Sequence, residues 1–109
     1  MKKDALGKEI HKHIATWVSR NANHASLITI VSLELSDDIS HARVGVSVLP
    51  ETHEKDALRF LEKHRTDIKS YLKKHTRGML PHTYSWFVDL GTKNRERIYE
   101  ILANDRKKD

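Results

Sequence analysis

Residues 41–49, HARVGVSVL, alternate apolar and polar side chains without a break, and a period of two is the signature of a strand with one dry face. Ala42, Val44, Val46 and Val48 point one way, and His41, Arg43, Gly45 and Ser47 point the other. A slip of one residue would bury Arg43, so the pairing register is strongly specified. Upstream, Leu27–Leu35 reads as the partner strand of a hairpin. Leu27, Thr29, Val31, Leu33 and Leu35 form its more apolar face, and Ile28, Ile30, Ser32 and Glu34 lie opposite. The connecting turn, Ser36–Ser40, exceeds a two-residue loop and lacks glycine, which leaves its type open.

Helical spacing flanks the hairpin. Leu6, Ile10, Ile14, Trp17 and Val18 make one stripe over a helix from Asp4 to about Arg20, with Asp4 as expected N-cap. Asn21–Ser26 has no period and reads as a loop. After Pro50, with Thr52 as expected N-cap, the helical pattern runs from His53 to about His75 and buries Ala57, Leu58, Leu61, Ile68 and Leu72. The pattern breaks at His64-Arg65-Thr66, which predicts two helices meeting at a bend. Arg77-Gly78 and then Pro81 stop the second of these. A third strand, Thr83–Asp89, turns Tyr84, Trp86 and Val88 to one side, and a last short helix near Asn94–Leu102 is expected to bury Ile98, Ile101 and Leu102. The expectation is one α+β domain over residues 4–102, in the order α-β-β-α-α-β with a three-stranded sheet, followed by a polar tail over 103–109.

Composition narrows the chemistry. The chain has 109 residues, carries a net charge of +5 with neutral histidines, and is 32% charged, which suits a polyanionic partner. It holds no cysteine, so it has neither disulfides nor a thiol nucleophile. No signal-peptide pattern or membrane-length apolar run is present, and a soluble cytoplasmic protein is expected. Of the eight histidines, His11 and His13 are two apart and point to different sides of a helix, and no HExxH or other ligand spacing exists, so no metal is expected. Asp37-Asp38 is a carboxylate pair, but turn preference accounts for it. Without a phosphate loop, nucleophile elbow or positioned base, no enzyme activity, cofactor or small-molecule substrate is expected.

Charge is concentrated between His53 and Gly78, where eight Lys or Arg stand against four acids and the bases come late. Arg65, Lys69 and Lys73 recur every four residues and share one helix face, a row that can follow phosphates. A solvated helix face with cations near its C-terminus accounts for the same pattern. Trp17, Phe60, Tyr84 and Trp86 each fit an apolar stripe and read as core instead of base-stacking platforms, while Phe87 lies on the face opposite Trp86.

The ordered segments Leu33-Glu34-Leu35-Ser36, Asp38-Ile39, Ala42, Val44, Val46-Ser47, Ile68-Lys69-Ser70-Tyr71-Leu72, Arg77, Leu80-Pro81, Trp86-Phe87-Val88-Asp89, Arg97-Ile98 and Ile101-Leu102 resemble bacterial ribosome-binding factor A from about Leu6 to Leu102. Three places depart from the family pattern: Asn23–Leu27 replaces a Pro-Arg-Leu type segment, His64-Arg65-Thr66 stands at a small-residue-x-glycine kink, and Leu90-Gly91-Thr92 replaces a polar pair. The resemblance implies a KH-like domain of type II order. It also implies a monomeric assembly factor that binds the immature small (30S) ribosomal subunit and its 16S rRNA, aiding late maturation and 5′-end processing without catalysis. From the basic row and its neighbours, the expected RNA phosphate contacts are Arg65, Lys69, Lys73, Lys74 and Arg77, with Arg43 and Lys63 as second-line candidates. A general single-stranded RNA-binding module and a basic protein-interaction domain are the alternatives.

Overall fold

The strand of alternating valines, here β2 (His41–Leu49), lies inside a mixed sheet, with β1 (Leu27–Leu35) antiparallel on one side and β3 (Thr83–Asp89) parallel on the other. A computed structural model describes residues 2–91 and 96–99. Ala42, Val44, Val46 and Val48 are all buried under three helices: α1 (Lys3–Asn21), α2 (Glu54–Lys63) and α3 (Arg65–His75). The expected helical stripes supply the opposite wall of the core, from Leu6, Ile10, Ile14, Trp17 and Val18 in α1 to Ile68 and Leu72 in α3. Removing each such aliphatic side chain from water contributes roughly 2 kcal/mol, and this layer is what the domain is built around.

The break between the central helices falls where the spacing placed it. α2 ends at Lys63, His64 leaves helical geometry with φ −100° and ψ 14°, and α3 starts at Arg65. Trp17 of α1 packs beside the junction, its ring centroid 5.8 Å from Phe60 and 5.7 Å from His64. Further along the same seam His13 meets Tyr71 and His75. His11 faces elsewhere and donates from Nε2 to the Ile30 carbonyl at 2.9 Å.

Several local expectations are corrected. The sheet has four strands, because Glu96–Arg97 pairs antiparallel with Val88 and Asp89 as β4. The last helix therefore does not form over Glu96–Tyr99, and Ile98 is 64% exposed. Charge explains the preference: Glu96 reaches Arg43, while Arg97 and Tyr99 both donate to the buried carboxylate of Glu54. These polar partners outweigh the weak helical spacing of Ile98, Ile101 and Leu102, of which the last two lie outside the described residues, as does the tail over 103–109. Neither expected N-cap acts as one. Asp4 sits inside the first turn of α1, and Thr52 lies in a 3₁₀ turn, Glu51–His53, that precedes α2.

β1 does not keep one face. Its pairing with β2 shifts between Ile30 and Ser32, where Val31 is the extra residue of a β-bulge. Before the bulge Ile28 and Ile30 face the helices; after it Leu33 and Leu35 do. The same shift sets Ser32 opposite Gly45, where an added Cβ would come within 2.3 Å of the Ser32 Oγ and 2.8 Å of the Phe87 ring. Gly45 is the space that admits both side chains.

The hairpin turn is organised by one carboxylate. Asp38 Oδ1 accepts from Ser36 Oγ, Ser40 Oγ and the Ser40 amide at 2.9, 2.7 and 3.0 Å, while Ile39 adopts φ +63°. The Ser40 side chain, then its amide, and Ser36 lower the Asp38 pKa from 3.8 to about 2. The folded form holds the charged state more tightly than the unfolded chain does, so the contribution is full above about pH 4 and disappears as pH falls toward about 2. Asp38→Asn is expected to melt below the parent at neutral pH, and thermal scans at decreasing pH should show that difference shrinking through this window. A difference unchanged across the window would contradict the turn assignment.

Candidate nucleic-acid interface

The parallel pairing of β2 with β3 requires the chain to cross over, and α2 and α3 are that crossover. α3 therefore returns along the helical layer, and the residues after it, 76–82, lead back to β3 beside its outer flank. The row Arg65, Lys69 and Lys73 lies in this one helix, and the structure gives its members unequal partners. Arg65 donates to both the carboxylate and the backbone carbonyl of Glu62 at 3.0 and 3.1 Å. Lys69 Nζ donates to the His82 carbonyl at 2.9 Å, tying α3 to the segment that enters β3. Lys73 has neither an ion pair nor a side-chain hydrogen bond among the described residues, and the same holds for Lys63, Lys74 and Arg77, all four exposed.

Arg43 stands apart from this group. It projects from the sheet face opposite the helices, 3.8 Å above the centre of the Phe87 ring, between Glu34 and Glu96. The hydrogen bond that Arg43 donates to Glu96, and then the charges of Glu96 and Glu34, raise the Arg43 pKa further. Phe87, only 5% exposed, is buried under this guanidinium and is no open platform for a base. Exposed ion pairs are worth up to about 1 kcal/mol and a surface cation–π contact about as much, so a phosphate approaching Arg43 would first compete with three existing contacts.

The α3 side contains a feature that helical spacing did not reveal. Lys69 and Lys73 border a groove of about 490 Å³ whose opposite wall is Leu80 and Pro81 and to which Tyr84 contributes. Tyr84 is buried, and its hydroxyl has no hydrogen-bond partner among the described residues. Burial pushes that hydroxyl up to about 12, so it keeps its proton. At the helix junction Glu62 also accepts from the Trp86 indole at 3.2 Å, so one carboxylate links α2, α3 and β3. Among the described residues no group of three or more His, Cys, Asp or Glu is arranged to hold a metal ion. No helix there is long and apolar enough to cross a membrane.

These features define a small α+β domain whose helical layer presents unpaired cations beside a groove. The family comparison makes the class specific: residues 2–102 match Ribosome-binding factor A. The chain belongs to the ribosome-binding factor A family. It is 39% identical over 80 residues to the protein of that name from Natranaerobius thermophilus, a match covering 71% of this chain but 61% of that relative. The Alteromonas mediterranea protein of the same name is 25% identical, with 97% of this chain and 84% of that relative covered. The crystal structure of ribosome-binding factor A from Thermus thermophilus superposes with a TM-score of 0.70 at 21% identity, over 80% of this chain and 94% of that one, a likeness of fold.

An unpartnered buried hydroxyl costs about 1 kcal/mol or more. Tyr84→Phe is therefore expected to raise Tm by roughly 4 °C in a domain of this size. A lower Tm in calorimetry would mean that the hydroxyl has a partner.

Proposed function

We propose that this protein is a ribosome assembly factor that binds the immature small (30S) subunit and its 16S rRNA, and assists late maturation and 5′-end processing without a covalent step. Family membership across residues 2–102 carries the proposal. The net charge of +5 and the unpaired cations of α3 agree with it. The observed order of elements up to β3, with its break at His64, is the basis for reading the domain as KH-like of type II order. Lys73, Lys74 and Arg77 are the phosphate contacts with no partner to lose among the described residues, and Lys69 follows, since an ammonium has three donors and His82 takes one. Lys63 extends the same side past the junction. Arg65 and Arg43 must exchange carboxylate partners before they contribute.

The mechanism is preferential binding. A flexible RNA segment samples several conformations, and a protein that grips one of them raises its population by its differential affinity. Such a role needs neither metal nor small-molecule substrate, and a monomer acting in the cytoplasm suffices.

In a lysate resolved on a density gradient, the protein should travel with free small subunits and be scarce on complete ribosomes. Equal recovery on both, or absence from both, would contradict an assembly role.

A further inference from the structure

We infer that the groove between α3 and the Leu80–Pro81 segment holds one unpaired nucleotide of a single-stranded RNA. Its phosphate would lie between Lys69 and Lys73, and its base against the apolar wall. The inference rests on the RNA-binding reading above and names the place where a base is taken up. Charge selects this groove over its neighbours. Lys69 and Lys73 border it and, among the described residues, no carboxylate does. Four other surface clefts along the described residues each include an acidic side chain: Asp4, Asp56, Glu34 or Glu62. A volume of about 490 Å³ falls within the range of small-ligand sites.

The two walls fit the two halves of a nucleotide. Along α3 the lysines are four residues apart and so neighbours on one face, able to meet the oxygens of one phosphate. Lys69 spends one donor on the His82 carbonyl, which holds its ammonium at the groove and leaves two donors over. Across from them the side chains of Leu80 and Pro81 give a base face a dry surface, the combination of backbone-tracking charge and base packing used by single-strand binders. A base in a duplex has its edge paired and its faces stacked, so a slot of this kind discriminates for single strands.

Ser70 is exposed on α3 and lines the groove, so Ser70→Trp fills it without altering core or charge. The test is an NMR amide titration of the intact chain with hexauridylate, with uridine 5′-monophosphate and hexaglutamate as parallel probes. The expected result is that hexauridylate shifts the amides of Ser70, Leu80 and Tyr84, that Ser70→Trp weakens this binding about tenfold, and that neither parallel probe saturates at comparable concentration. Equal binding by parent and Ser70→Trp, with shifts elsewhere, would overturn the groove while leaving RNA binding intact. No binding of hexauridylate by the parent would overturn both. Saturation by the free nucleotide at the same concentration would make this a mononucleotide site, and saturation by hexaglutamate a general anion site; either overturns the assignment.

Discussion

Everything in this domain depends on β2 being hydrogen-bonded on both edges and dry on one face. Its four core side chains, Ala42, Val44, Val46 and Val48, meet residues from α1 and α2 across the helical layer, and its two neighbours run in opposite directions. An antiparallel neighbour needs only the Ser36–Ser40 turn, whereas the parallel one demands a long connection over one face of the sheet. That demand produces α2 and α3, and it places the cationic helix beside the strand entry at His82. The valine stripe and the location of the α3 groove are consequences of one topological choice.

The two faces of the sheet are finished in different ways. On the helical side, apolar burial does the stabilising. On the other side Arg43, Glu34, Glu96 and Phe87 form a small polar lid over Gly45, whose missing side chain makes room for the Phe87 ring. Arg43 is committed to that structure, whereas Lys63, Lys73, Lys74 and Arg77, on the helices and just after α3, are unpaired among the described residues. This separation explains why residues of one chemical type, all basic, differ in their readiness to meet an RNA phosphate.

Where sequence patterns were strong, they located elements closely. β2 has an unbroken period of two, and the gap between Leu61 and Ile68 leaves no core residue to carry a straight helix through His64. β1 was misread before its midpoint, where Ile28 and Ile30 and not Leu27, Thr29 and Val31 face the helices, because a bulge at Val31 exchanges its faces and alternation that is apolar on both sides carries no sign of the exchange. β4 was missed because two residues have no period, and its partners, Arg43 and Glu54, are 53 and 43 residues away in sequence. In the candidate site, the row on α3 was legible as spacing. The groove beside it was not, because Leu80, Pro81 and Tyr84 join Lys69 and Lys73 only after the crossover folds back. Pairing was within reach of the spacing: Glu62 stands three residues before Arg65 and holds it, whereas Lys73 has no acid three or four residues away and is held by nothing among the described residues.

The central claim is that the exposed cations of α3 meet the phosphates of a nucleic acid. The most direct measurement is the salt dependence of affinity for a fragment of 16S rRNA, compared between the parent and a triple variant, Lys69→Gln, Lys73→Gln and Lys74→Gln. Glutamine keeps helix propensity nearly unchanged, so the variant should remain folded. Each phosphate contact contributes ~0.7–0.9 to the slope of log affinity against log salt, and the variant's slope should be shallower by about two units with weaker binding at every salt concentration. A folded variant with the parent's affinity and slope would contradict the claim and reduce this face of α3 to a solvated surface.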